Sequence, residues 1–147
     1  MTMKRLFIFI MLFSAATVQA QKAEIFQKDG VAIRGFDAVA FFTESKPVMG
    51  EERISYEWKG ARWLFSSSVN MESFKNDPEK YAPQYGGYCA FGMADGHKAP
   101  TETDTWTIID GKLYFNYNRK VKEMWWKDTK GFIEKADANW PVLKNKD

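Results

Sequence analysis

Apolar and polar residues change rhythm several times along this chain, and each change marks an element. Residues 54–58 (Ile-Ser-Tyr-Glu-Trp) alternate with a period of two. Lys59-Gly60 interrupts, and residues 61–65 resume with β-forming side chains, which predicts a hairpin. A second hairpin is predicted where residues 106–109 and 112–116 flank Asp110-Gly111, a dipeptide that accepts the positive backbone angles of a two-residue turn. Helical spacing follows each pair. Ser66-Ser67-Ser68 offers capping hydroxyls, and Glu72 an acid within the first turns, to a helix over residues 69–76 with Val69 and Phe74 facing inward. Asp77-Pro78 ends that helix, and Pro78 suits the start of a further turn over residues 78–81. Residues 118–127 predict a helix with Val121, Met124 and Trp125 on its inner face. Lys130-Gly131 reads as a break, and residues 132–140 as a last short helix before Pro141.

The remaining segments are less regular. Residues 22–28 read as a loose lead-in or one helical turn, and residues 31–33 as a short strand after the Asp29-Gly30 turn. Gly35-Phe36-Asp37 breaks that strand. An apolar run over residues 38–42 follows, with Asp37 placed to cap it, and residues 43–52, with Pro47 and Gly50, read as an exposed loop. The sum is an α+β chain, a small single domain with two β-hairpins packed against short helices.

Charge changes the picture only at the start. Residues 1–20 hold Lys4 and Arg5, then a charge-free apolar stretch, then small residues at Val18 and Ala20. A basic start, a short apolar centre and a small-residue end predict a signal peptide over residues 1–20, cleaved after Ala20 to leave a domain over residues 21–147. The apolar stretch falls short of the ~20 residues a membrane span needs. Removing the two basic residues leaves 19 of the 21 cations against 19 anions, so the mature chain is neutral. Nucleic acid is thereby excluded as a partner, since it demands clustered Lys and Arg, and no membrane anchor remains after cleavage. The single cysteine, Cys89, rules out an internal disulfide and a lipid-modified cleavage point, and no Asn-x-Ser/Thr acceptor occurs.

Candidate chemistry gathers in residues 85–97, which hold four glycines among Tyr85, Tyr88, Phe91, Cys89, Met93 and His97. Glycine costs about 1 kcal/mol within a helix, so such density predicts close backbone approach: a tight turn, a short helix through residues 89–93, then a loop. On a continuous helix, Cys89, Met93 and His97 share one stripe, a thiolate, thioether and imidazole set that suits copper as Cu(I). The same residues read otherwise as a buried cysteine and methionine beside a surface histidine. A Cys89–His97 nucleophile and base, oriented by Asp95 or Asp104, is the enzymatic alternative. Tyr85, Tyr88, Cys89 and Phe91 are the candidate lining of a small-ligand pocket, while Trp58, Trp63, Trp106, Tyr114, Trp125 and Trp140 read mainly as core.

Several motifs point to one family. Gly35-Phe36-Asp37-Ala38-Val39-Ala40-Phe41-Phe42 resembles the opening of exported bacterial proteins with a YHS domain. Trp63-Leu64-Phe65-Ser66-Ser67 through Phe74, with Asn76-Asp77-Pro78-Glu79-Lys80-Tyr81, is similar to that domain's strand–helix core. Tyr81 to Ala90 and Asp110-Gly111-Lys112-Leu113-Tyr114 resemble its exported branch. The likeness spans roughly residues 30–141. It implies a YHS/TRASH-related module, periplasmic or secreted, in a group that binds heavy metals through a Phe-Cys-Ser-x-x-Cys pattern. Here the matching stretch is Phe65-Ser66-Ser67-Ser68-Val69-Asn70, with neither thiolate, so that site is not carried over. The expectation is a binding module for a metal ion or small ligand, with copper at Cys89 as the named candidate. A thiol enzyme and a structural or protein-partner domain with Cys89 merely buried stand as alternatives.

Overall fold

The computed structural model describes residues 23–146, so the expected leader lies outside the described residues. The chain order is β1 (Gln27–Lys28), β2 (Val31–Ala32), α1 (Ala40–Thr43), β3 (Glu51–Trp58), β4 (Ala61–Phe65), α2 (Ser68–Asn76), α3 (Pro78–Tyr81), α4 (Ala90–Ala94), β5 (Glu102–Ile109), β6 (Lys112–Asn116), α5 (Arg119–Trp126) and α6 (Thr129–Leu143). One sheet has the order β1-β2-β4-β3, with β2 parallel to β4 and the other pairs antiparallel. The second is the β5–β6 hairpin. The fold is the α+β arrangement that the two hairpins and short helices implied.

The β5–β6 hairpin divides the interior in two, because β6 is buried on both faces. Leu113 and Phe115 point into a first core with Phe41, Trp63, Phe65 and Phe74. Tyr114, between them, points the other way into a second core with Tyr85, Met93, Trp125 and Ala136. Side chains alternate along a strand, so a run of three buried apolar residues requires packing on both sides.

Several local expectations need correction. Within the expected 22–28 lead-in, Gln27–Lys28 form β1, which pairs with β2 across the Asp29-Gly30 turn. Ile33 is not strand: Ile33, Arg34 and Gly35 form a left-handed turn with φ of 40°, 55° and 82°. The end of the expected 43–52 loop starts β3, and Met49 bridges to Phe36. Val69 is 74% exposed whereas Phe74 is buried. Positions five apart on a helix lie about 140° round from one another, so both cannot face one core. Met124 is likewise exposed, while Trp125 is fully buried with Val121 partly covered beside it. Gly131 does not break a helix but sits in the first turn of α6. There the Asp128 carboxylate caps its N–H at 3.0 Å, and a side chain would strike that carboxylate. Nor does α6 stop before Pro141. It continues to Leu143, and the Trp140 carbonyl is taken up by the Lys144 N–H at 2.8 Å.

Candidate functional site

The glycine-rich segment begins with a second left-handed turn, Tyr85, Gly86 and Gly87, at φ of 57°, 62° and 89°. Its absent side chains matter. A Cβ on Gly86 would overlap the Glu24 carbonyl, and one on Gly87 would lie 3.4 Å from Ile33 Cγ2 in the first left-handed turn. Thr101 clips the two turns together: its hydroxyl donates to the Gly87 carbonyl at 2.7 Å, and its own carbonyl accepts from Arg34 Nε at 2.8 Å. The chain leaves this turn extended and reaches Cys89, the N-cap of α4.

Cys89 is 1% exposed. Its sulfur accepts from the backbone N–H groups of Tyr117 (3.2 Å) and Gly92 (3.4 Å), and its S–H donates to Asn116 Oδ1 at 3.5 Å. Burial pushes the thiol above its ordinary pKa, and the N–H groups of Gly92, Tyr117 and Phe91 pull against that shift. The tool of placement on the far side is Asn116, at the end of β6 and fully buried. Its Oδ1 also accepts from the Phe91 N–H at 3.1 Å, which fixes the orientation of the amide, while its buried Nδ2 has no hydrogen-bond partner among the described residues. Thr105 holds its backbone, accepting from Asn116 N at 2.8 Å and lying 2.9 Å from the Asn116 carbonyl. Asn116 was not singled out in the sequence. A polar residue closing the apolar run 113–115 was the available signal.

His97 reaches the same place by a route that helical spacing does not describe. α4 ends at Ala94, and Gly96 takes φ of 89°. The His97 N–H then bonds the Gly92 carbonyl (3.0 Å) and the Gly96 N–H bonds the Met93 carbonyl (3.1 Å), the paired bonds of a Schellman end. This folds the imidazole back over Gly92, with Nε2 3.3 Å from where a Cβ would be. Nδ1 lies 3.5 Å from Asp95 Oδ2, with both side chains more than half exposed. Cys89, Phe91, Gly92, His97, Ala99, Tyr117 and Val121 line one cleft of about 300 Å³.

The other expected site residues lie apart from it. Met93 is fully buried in the second core, and the residues lining the cleft do not include it. Tyr85 donates to Asp137 Oδ1 at 2.9 Å, and burial followed by that carboxylate raises its pKa. Tyr88 donates to the Ala23 carbonyl at 2.7 Å and lines a separate cleft with Phe26 and Lys98. Of the four ligand-pocket candidates, Cys89 and Phe91 share a cavity. Among the described residues, no three His, Cys, Asp or Glu side chains are grouped to hold a metal.

Fold and site together describe a small α+β domain with one thiol- and imidazole-bearing cleft. Residues 39–85 match the model of the YHS domain, a segment that runs from α1 through the first hairpin to the second left-handed turn. No curated protein and no solved structure matches the chain. A YHS match suggests a metal-binding module family, and the cysteine pattern that the resemblance implies would fall on Ser66 and Asn70, inside the matched segment. The side chains there do not fit a metal. Ser66 Oγ (2.7 Å) and Asn70 Nδ2 (2.8 Å) both donate to Oδ2 of the fully buried Asp37, so both turn protons to that carboxylate, and neither supplies the thiolate a soft metal takes. Cys89 and His97 lie beyond the C-terminal limit of the match.

Proposed function

We propose that the protein is an exported, non-enzymatic binding module that holds a soft metal ion, Cu(I), between Cys89 and His97. The observation that carries this reading is that the sole thiol and the sole histidine line the same small cleft, whose other walls are mostly apolar. Soft sulfur and imidazole donors favour Cu(I), which does not need the closed four-donor shell of a structural zinc. Three backbone N–H groups around the sulfur favour its ionised form, and the metal supplies the remaining drive against burial. The leader-like residues 1–20 support a periplasmic site of action. A thiol enzyme is the second reading, favoured by the 3.5 Å approach of Asp95 to His97, which resembles an orienting acid. The raised thiol pKa counts against it, since a nucleophilic cysteine requires the opposite shift.

The test is anaerobic titration of the reduced protein with Cu(I) against a competing chelator. One-to-one binding lost in Cys89→Ser and in His97→Ala is the expected result, and Met93→Leu reports whether the thioether joins them. Absence of competition, with Cys89 inert to alkylation until the chain unfolds, refutes both the metal and the enzyme reading.

A further inference from the structure

Asp37 is fully buried and its two oxygens accept five hydrogen bonds. Oδ1 takes the Val39 N–H (2.9 Å) and the Ala40 N–H (3.2 Å), which caps α1. Oδ2 takes the Ser66 N–H (2.9 Å), the Ser66 hydroxyl (2.7 Å) and the Asn70 amide (2.8 Å). A carboxylate offers about four lone-pair sites, so this one is saturated. The polarity of the cluster is the reverse of a metal centre. Where a cation demands converging lone pairs, Ser66 and Asn70 present protons, and the group they converge on is an anion. Buried charge without such partners is strongly disfavoured, so the donors and the carboxylate stabilise one another only as a set.

We propose that the cysteine-pair position of the YHS domain has become, in this chain, a permanently filled carboxylate site: Asp37 occupies it from within. The cluster joins the segment before α1 to the β4–α2 junction, across 29 and 33 positions of sequence. The YHS core therefore holds together without a metal and has no vacancy for one, and any metal the protein carries lies elsewhere.

The experiment uses the full chain in a Cys89→Ser background, so that its outcome does not depend on the Cys89 reading. The protein is exposed in turn to Zn²⁺, Cd²⁺ and Cu(I), dialysed, and assayed for bound metal and for melting temperature with and without EDTA. No stoichiometric metal and no EDTA-induced shift are expected. Asp37→Asn, which turns a donor toward donors, is expected to lower the melting temperature by about 8 °C or more, and Ser66→Ala by about 4 °C. A stoichiometric metal that persists without Cys89 and disappears in Asn70→Ala overturns the proposal. So does a Ser66→Ala protein that melts within about 1 °C of its parent, a readout that remains if Asp37→Asn does not fold.

Discussion

Replacing Thr105 by valine separates hydrogen bonding from packing at the residue that positions Asn116, and through it Cys89. Thr105 is completely buried, in the part of β5 where the register with β6 shifts between Glu102 and Thr107. Its hydroxyl lies 2.6 Å from the Glu102 carbonyl and 2.9 Å from the Asn116 carbonyl, and accepts from the Asn116 N–H at 2.8 Å. With one proton, it donates to one carbonyl at a time and accepts once. Valine has nearly the same shape and removes both bonds. Each is worth about 1 kcal/mol net, and the stranded, buried Asn116 N–H adds about 1 more, so the loss is about 3 kcal/mol. For a domain of this size that lowers the melting temperature by about 12 °C. Thr105→Ser keeps the hydroxyl and loses one buried methyl, costing about 1 kcal/mol. Volume alone orders the two variants the other way. Tryptophan fluorescence during urea and thermal unfolding reads both, and the alkylation rate of Cys89 should rise in the valine variant as Asn116 loosens. If Thr105→Val is no less stable than Thr105→Ser, the hydroxyl is not what holds this corner.

Two further outcomes are expected. Gly86→Ala places a side chain against the Glu24 carbonyl and forces alanine into φ of 62°, whereas Gly60→Ala, at φ of 73° with open space around it, meets only the backbone strain of about 1 kcal/mol. Urea midpoints should therefore fall several times further for residue 86, and equal losses would refute the close approach. Stability should also decline in alkali. Burial first, then nearby acids for Tyr85 and Tyr114, raises Cys89 above 9.0 and Tyr85, Tyr88 and Tyr114 above 10.0, with Tyr114 pushed up to about 12. A raised value means that the folded state holds its proton more tightly. The stabilisation is thus complete below pH 9 and is lost as pH climbs, first through Cys89 and then through the tyrosines. Urea midpoints that stay flat to pH 11, or an unchanged onset in Cys89→Ser, contradict this assignment.

What the sequence determined by itself is whatever a few neighbouring residues settle. The Asp110-Gly111 turn, the alternation of residues 54–58, the capping serine before α2 and the apolar run of β6 all act within one turn or one strand pair, and both hairpins stand where those signals put them. A local signal misleads where it has two uses. Glycine at 131 reads as a breaker until the Asp128 cap that needs it is in view, and Val69 reads as core until Phe74 decides which side of α2 is covered. The candidate site was legible only as a neighbourhood. Cys89 and His97 share a cleft because a Schellman end reverses the chain over Gly92, not because a helix carries them on one stripe. Asn116 meets Cys89 across 27 residues, and Asp37 gathers Ser66 and Asn70 across 29 and 33. Contacts at such separations depend on how two cores close around one hairpin. No local pattern encodes them, because the free energy that selects them belongs to the packed whole.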